Sequence, residues 1–154
     1  MNMKKVFFVM AVVMAFGTSP LTSQNYFNAG GVRVENDDWV ISYKQSTSAR
    51  GAIEGMVGFN DYGNIESTSI SLVYQIHQDI QKVNFLKWYY GVGGRLILSD
   101  GNSSIAALGD VGLDLDFKDL PINICADVFP VLRLTDGTDL DFYGSIGIRY
   151  IFRR

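Results

Sequence analysis

The sequence predicts an all-β protein, an antiparallel up-and-down barrel of eight strands that spans a membrane. Three observations predict it: a charged and then apolar leader, eight later segments in which apolar residues alternate with small or polar ones, and aromatic residues near the segment ends. In the last segment Phe142, Ile148 and Phe152 share one face of the strand, whereas Ser145 and Arg149 lie on the other. One face against lipid and one against a polar lumen is the pattern of a transmembrane barrel strand.

Residues 1–24 are predicted to be a signal peptide that is cleaved during export. Two lysines precede an apolar run of about eleven residues, and small and polar residues follow it. The run is well short of the roughly 20 apolar residues of a membrane-spanning helix, which makes a permanent anchor the weaker interpretation. Cleavage near Ser23 or Gln24 leaves one barrel domain over residues 25–154.

Composition and charge limit the kinds of binding partner and functional site that this protein is expected to have. The net charge of −3 and the lack of a basic stretch argue against nucleic acid as a partner. The single cysteine, Cys125, cannot form an internal disulfide and is expected to be a small inward-facing filler of a strand. Apolar residues make up 47% of the chain, as in many globular proteins, so the membrane prediction depends on their alternation.

The first four predicted strands are separated by clusters of turn-forming residues. The sequence Asn36-Asp37-Asp38 separates the first two, and the second strand alternates Trp39 and Ile41 with small or polar residues. A Tyr-Gly-Asn turn separates the third strand from the fourth, on which Ile70 and Leu72 alternate with serines. The predicted bounds of these strands are about 27–35, 39–46, 52–60 and 67–78.

The last four strands follow the same rule. A polar link over 79–85 precedes the fifth strand, and Asp100-Gly101-Asn102-Ser103 is a strong turn signal after it. The sixth strand has the clearest alternation, with Val111 and Leu113 on one face and Asp114 on the other. The predicted bounds are about 86–99, 105–118, 122–134 and 141–152. Such lengths suit the roughly 9–11 residues that a tilted spanning strand requires.

The less apolar faces of the strands carry charges of both signs. An eight-stranded barrel is only wide enough inside for side chains, so these charges are expected to be packed, desolvated and paired. Five cations and five anions balance one another, and the aspartates of the sixth strand are expected to pair with inward arginines, for example Arg95 on the fifth. The predicted lumen charge network consists of Arg33, Lys44, Glu54, Arg95, Asp110, Asp114, Asp116, Asp127, Arg133 and Arg149.

Aromatic residues on the apolar faces favour a membrane barrel over a soluble one. Two belts of aromatic rings at the two rims are typical of a membrane barrel, whereas a soluble barrel would bury them. The predicted membrane-interface aromatics are Trp39, Phe59, Trp88, Tyr90, Phe117, Phe142, Tyr150 and Phe152. The soluble alternative is an exported, lipocalin-like carrier with its faces reversed and an apolar ligand inside.

Three segments carry a resemblance to a known family: Trp88-Tyr89-Tyr90-Gly91-Val92-Gly93-Gly94, Gly109-Asp110-Val111-Gly112-Leu113-Asp114 and 145–152. They resemble the small eight-stranded outer-membrane barrels of Gram-negative bacteria, the OmpA-like and OmpX-like transmembrane domains. The resemblance implies an outer-membrane location, outer-membrane lipid as surroundings and a monomeric protein. It also implies that the barrel-assembly machinery recognises the last strand through Phe152, although Arg153-Arg154 after it departs from the pattern.

The resembled family includes lipid A deacylases and acyltransferases, whose reaction needs a nucleophile and a neighbouring base. The single histidine, His77, is predicted at the inner rim, and Ser69 lies roughly 26 Å from it along the strand. Asp110, Asp114 and Asp116 could suggest a calcium site, but the outer two are roughly 20 Å apart on a strand. No catalytic, cofactor-binding or metal-binding residue is therefore predicted.

The sequence favours a non-enzymatic, integral outer-membrane barrel with a polar, charge-paired and plugged interior. Its predicted role is structural, or an interaction at the cell surface. Two alternatives stay open at this point. One is a narrow, porin-like passive pore, which a less completely filled lumen would permit, and the other is the soluble exported carrier of an apolar ligand.

Overall fold

The computed structural model describes residues 28–62, 65–80, 83–99, 102–117, 120–135 and 139–152. The predicted signal peptide, 1–24, lies outside the described residues and stays a prediction. Within the described ranges, no helix is long and apolar enough to cross a membrane.

Eight strands form a single closed sheet in which each strand pairs with its sequence neighbours. All pairs are antiparallel, and the first strand pairs with the last, so the prediction of an eight-stranded up-and-down barrel is confirmed. The strands are β1 (Asn28–Glu35), β2 (Asp38–Ser46), β3 (Gly51–Tyr62), β4 (Ile65–Ile80), β5 (Val83–Ser99), β6 (Asn102–Asp116), β7 (Ile122–Arg133) and β8 (Leu140–Phe152).

The main departure from the predicted elements concerns the polar link at 79–85. β4 continues to Ile80, β5 already begins at Val83, and the pairing register shifts between Asp79 and Ile80. The backbone therefore stays paired where the side chains no longer alternate cleanly. This happens because backbone hydrogen bonds define a strand, whereas alternation requires one wet and one dry face.

The β1–β2 hairpin shows how consecutive strands are connected at the end of the barrel away from the termini. Asn36 and Asp37 have positive φ angles of 44° and 76°, and Glu35 pairs directly with Asp38. Two consecutive residues with positive φ form the tight turn whose twist matches that of paired strands. Two other links at this end are equally short, since only two residues separate β3 from β4 and β5 from β6.

The two faces of the sheet differ in chemistry. The outward face is apolar, with residues such as Leu72, Val92 and Ile146 that are 61%, 71% and 67% exposed. The inward face combines buried charges with a small apolar cluster. This lumen cluster consists of Val40, Met56, Val73, Ala106, Leu108, Phe129 and Val131, with Tyr143 packed against it.

The predicted interface aromatics lie on the outward face, most of them near the ends of the strands and Tyr90 near the middle of β5. Trp88 and Tyr90 contact each other at 5.5 Å between ring centroids, and Tyr150 and Phe152 at 5.4 Å. Near the opposite end, Trp39 pairs in register with Phe59 on the neighbouring strand. Seven of the eight are exposed, namely Trp39, Trp88, Tyr90, Phe117, Phe142, Tyr150 and Phe152, and Phe59 is half-buried.

Candidate functional site in the barrel lumen

The ten residues of the predicted network all point into the barrel, but they divide into two groups. Eight are buried, namely Arg33, Lys44, Glu54, Arg95, Asp110, Asp114, Asp127 and Arg149. The other two, Asp116 and Arg133, lie near opposite ends of the barrel, with side chains that are 26% and 45% exposed. The expectation that all ten are desolvated is therefore wrong for these two, because strand ends reach solvent.

Arg33 on β1 is the first centre of the buried network. Its guanidinium donates to Glu54 Oε1 at 2.8 Å, to Ser145 Oγ at 2.6 Å and to the Asp127 carboxylate. Gly147 on the paired strand makes room for it, since a Cβ there would lie 2.7 Å from the Arg33 Cγ. The glycine thus allows a long cation to lie flat against the barrel wall and reach three acceptors.

Arg149 on β8 is the second centre, and it shares Glu54 with the first. Its Nη2 donates to Glu54 Oε1 at 2.5 Å, and its Nη1 donates to Asn123 Oδ1 at 2.8 Å. Nη1 also lies 3.3 Å from Asp114 Oδ1. One fully buried carboxylate on β3 therefore holds two arginines from neighbouring strands on the far wall. Such charge-assisted bonds are the strong ones inside proteins.

Lys44 completes the buried network on the side of the chain termini. Its Nζ lies 2.5 Å from Asp114 Oδ2 and 4.6 Å from the centroid of the Tyr89 ring. His77 Nε2 reaches the same Asp114 oxygen at 3.0 Å. Asp114 therefore meets Lys44, His77 and Arg149 together, and the histidine serves as a polar neighbour of that carboxylate.

Asp110 differs from the other buried carboxylates because no cation contacts it among the described residues. Its Oδ2 accepts a hydrogen bond from Gln75 Nε2 at 2.6 Å, while the Gln75 amide also donates to Glu54 at 2.9 Å. Two buried acceptor atoms, Asp110 Oδ1 and Gln75 Oε1, have no hydrogen-bond partner in the described part of the chain. Such atoms are costly to bury, and Asp110 is therefore the weak point of the network.

The prediction that the aspartates of the sixth strand pair with inward arginines holds for Asp114, which lies 3.3 Å from Arg149, but not for the example of Arg95. Arg95 instead makes a two-pronged ion pair with Glu35, at 2.6 and 3.0 Å, and donates to Ser71 at 2.9 Å. Glu35 lies on β1, across the lumen from β5, and it is 5% exposed. Sequence reasoning missed it because Glu35 sits beside a turn, where a charged residue is usually solvated.

With Glu35 included, the described lumen buries four cations and five carboxylates rather than five of each. The cations are Arg33, Lys44, Arg95 and Arg149, and the carboxylates are Glu35, Glu54, Asp110, Asp114 and Asp127. The uncharged members that the sequence did not single out are Ser42, Ser71, Gln75, Tyr89, Asn123 and Ser145. Sequence reasoning could have found these residues from their positions on the inward face, which follow from the same alternation along each strand.

The lumen cluster lies between the contacts of Arg33, Lys44 and Arg149 and the end of the barrel that lies away from the termini. Arg33 contacts the cluster from one side, through Met56 Sδ at 3.4 Å and the Phe129 ring centroid at 5.2 Å. Val40 contributes to the cluster and also lines a cavity on its other side. The packed cluster and the charged contacts below it therefore occupy the middle of the lumen.

That cavity, which we call the mouth cavity, has a volume of about 420 Å³. It contains the half-exposed Arg133 at its rim and the Arg95–Glu35 pair at its base, and four serines line its wall. Its lining comes from the end of β1, the start of β2 and the neighbouring ends of β4–β8. The cavity therefore lies at the end of the barrel opposite Asn28 and Phe152. The mouth cavity thus lies between the lumen cluster and the end of the barrel away from the termini.

The described residues offer little for catalysis or metal binding. No cluster of three or more His, Cys, Asp or Glu side chains in the described ranges is arranged to hold a metal ion. His77 contacts Asp114 and the Tyr89 ring, at 5.0 Å between ring centroids, and its neighbours there include no serine hydroxyl. Cys125 is buried and unpaired as a small inward residue.

Comparison with known proteins supports the architecture. The search of protein-family models finds no match, and no curated protein sequence matches the chain. Among solved structures, the N-terminal β-barrel domain of Pseudomonas aeruginosa OprF is similar, with a TM-score of 0.64 and 13% identity over 85% of this chain and 100% of that one.

Two further solved barrels are more distant. The outer-membrane enzyme PagL has a TM-score of 0.44 and 10% identity, over 83% of this chain and 99% of that one. Ail, the attachment invasion locus protein of Yersinia pestis, has a TM-score of 0.44 and 14% identity, over 82% and 95%. At the identity shared with OprF the likeness concerns the fold, and this chain therefore has the fold of a small outer-membrane β-barrel.

Proposed function

We propose that this protein is a non-enzymatic, integral outer-membrane β-barrel with a plugged interior, whose role is structural or an interaction at the cell surface. The observation that carries this proposal is the division of the sheet into an exposed apolar face and an inward face of paired charges. Lipid is the surroundings in which exposed residues such as Val92 and Ile146 would be favourable. The soluble carrier would need the opposite arrangement of faces.

The proposal includes the route to the membrane and the orientation in it. The predicted leader directs export, and the barrel-assembly machinery would recognise the terminal strand that ends with Phe152. Both ends of the described barrel, Asn28 and Phe152, are paired on one side, which would face the periplasm. The mouth cavity would then face the outside of the cell. We propose a monomer, since the sheet closes on itself and leaves no edge strand for a second copy.

Extraction and gel mobility test the membrane barrel. The mature protein should leave the membrane fraction only with detergent, and an unheated sample should migrate differently from a boiled one, because a closed barrel resists unfolding by detergent. A protein that is soluble without detergent and shows no heat shift would contradict the proposal. That result would make an apolar-ligand carrier the better interpretation.

Single-channel recording tests the plugged interior against the narrow pore. The plug is supported by Glu54, which holds two arginines across the lumen, and by the packed lumen cluster. Purified barrel in a planar bilayer should therefore give no conductance steps. Regular steps that depend on the amount of folded protein would support the pore instead.

Lipid analysis tests the absence of enzymatic activity. Acyl transfer requires a nucleophile whose proton is taken by a neighbouring base, and His77 instead contacts a carboxylate and an aromatic ring. Lipid A from cells with and without the gene should have the same acyl chains. A reproducible change that is lost in a His77→Ala variant would overturn the proposal.

A further inference from the structure

We propose that the mouth cavity binds a neutral, polyhydroxylated molecule of monosaccharide size. This inference rests on the proposed function, because it specifies the interaction that a barrel facing the outside of the cell could make. Three features of the cavity support it: its shape, its hydroxyl groups and its charge.

The shape favours a small ligand that enters from one end. About 420 Å³ lies within the usual range for small-molecule sites, roughly 300–1,000 Å³. The base is closed by the lumen cluster and by Arg95, whose guanidinium is fixed by Glu35 and Ser71. Arg95 also lies 5.8 Å from the centroid of the Tyr143 ring, so the base is held from several sides. A ligand would thus meet a preformed floor.

The hydroxyl groups are the most specific feature. Ser67 and Ser69 on β4, Ser99 on β5 and Ser104 on β6 line one wall of the cavity. None of the four hydroxyls has a hydrogen-bond partner among the described residues, whereas Ser42, Ser71 and Ser145 deeper in the lumen all bond to arginines. A serine hydroxyl both donates and accepts a hydrogen bond, and so does each hydroxyl of a sugar. The wall therefore complements an array of hydroxyls.

The charge of the lining argues against an ionic ligand. Glu35 and Asp38 contribute two negative charges, and Arg95 and Arg133 contribute two positive charges. Arg95 is already neutralised by Glu35, and Arg133 lies 3.1 Å from Asp141. An anion or a cation would have to compete with these pairs, whereas a neutral polyol would leave them intact.

The short hairpins at this end make the cavity the available recognition surface. Only two residues separate β1 from β2, β3 from β4 and β5 from β6, and six separate β7 from β8. Barrels that recognise partners through long loops need more chain than this. The inward wall of the strands, and not a set of loops, therefore supplies the polar groups that a ligand would meet.

The test is a titration of the folded barrel in a zwitterionic detergent, since detergents with sugar headgroups would compete. Glucose, galactose, mannose and their methyl glycosides are added, and amide shifts are followed by NMR. We expect saturable shifts at residues such as Ser69, Ile97 and Ser104, with much weaker effects from the matching uronic acids and sugar phosphates. The shifts should be absent from the Asn28–Phe152 end.

Variants of the serine wall test the assigned contacts. The double variant Ser69→Ala and Ser104→Ala should weaken binding by about tenfold or more, since each serine contributes one hydrogen bond. Ser103→Ala is the matched control, because Ser103 neighbours Ser104 but is exposed on the other face of β6. If the double variant does not fold, the single variant Ser104→Ala replaces it, with a proportionately smaller loss.

A further set of titrations distinguishes two sources of the ligand. It uses oligosaccharides that end in the sugar that the barrel binds. Binding of the free hexose alone indicates a soluble sugar, and equal binding of the oligosaccharides indicates the end of a surface glycan. No saturable shift with any neutral sugar, or shifts only with the charged ones, would overturn the inference. The heat-shifted gel band of the same sample keeps that failure distinct from a failure of the barrel proposal itself.

Discussion

The middle of the lumen and the mouth cavity contain the same kinds of side chain but hold them differently. In the middle, Glu54 contacts Arg33, Arg149 and Gln75, and all of these groups are buried. At the mouth, Arg133 and Asp141 form one pair with both side chains about half exposed. Charges in the middle of the lumen therefore depend on shared carboxylates, whereas the Arg133–Asp141 pair at the mouth stays accessible to solvent.

The two greatest losses of stability are expected from neutralising shared carboxylates, and Glu54 is the first of these. Glu54→Gln should lower the free energy of unfolding by about 3–5 kcal/mol, because it leaves two buried arginines short of a counter-charge. Urea unfolding in lipid vesicles, followed by tryptophan fluorescence, measures this. Asp141→Asn at the mouth is the matched control and should cost about 1 kcal/mol or less. Equal losses for the two variants would remove the distinction between the regions.

A smaller effect tests the space that the network needs. Gly147→Ala should lower the free energy of unfolding by about 1–3 kcal/mol, because the new methyl group would push against Arg33 and Cys125. Gly144→Ala on the same strand is the control, since a Cβ there meets nothing within 4 Å. The same urea titration applies. If the Gly147→Ala barrel is as stable as the Gly144→Ala barrel, Arg33 can shift away from the added methyl group without losing its contacts.

Asp110 and Asp114 on β6 allow a second comparison, between two buried carboxylates in the middle of the lumen. Asp114→Asn should cost about 3–5 kcal/mol, because it removes the anion that Lys44 and Arg149 share. Asp110→Asn should cost nothing measurable, because no described cation faces Asp110 and the new amide can donate to Gln75 Oε1. Unfolding midpoints of both variants at one pH provide the measurement. A large loss at Asp110 would reveal a cationic partner.

The smallest effect is expected at the rim of the mouth cavity. Arg133→Ala removes a half-exposed pair and should change the free energy of unfolding by about 1 kcal/mol or less. Any loss should shrink further in high salt, which screens exposed charges. Unfolding curves at low and high salt check both statements. A large, salt-independent loss would mean that Arg133 belongs to the buried network.

The sequence predicted the inward and outward positions well but not the partners. Alternation identifies that Arg95 and Asp110 face the lumen, because parity along a strand is a local property. It does not identify that Arg95 meets Glu35, since the two lie on strands that are not neighbours and contact each other only across the closed lumen. Partner choice depends on the stagger of the whole barrel, which no single segment specifies.

The same limit explains the mouth cavity. Serines on the inward faces of β4, β5 and β6 are unremarkable in the sequence, because small polar residues are expected inside any barrel of this kind. Only the folded sheet brings Ser69 and Ser104 to one wall and leaves their hydroxyls without a described protein partner. The shape of the space, and not the identity of any one residue, indicates a ligand.

The pairing of β1 with β8 has a consequence for how the chain must assemble. Arg33 and Ser145 are separated by 112 positions in the sequence, yet they are bonded neighbours across the seam. Contacts of such long range form late and slowly, after most of the loop-closure entropy has been lost. Until the last strand arrives, Arg33 lacks part of its coordination and both ends of the sheet remain open edges. Synthesis must therefore include β8 before the barrel can close, and a chain that stops short of β8 should be degraded rather than inserted.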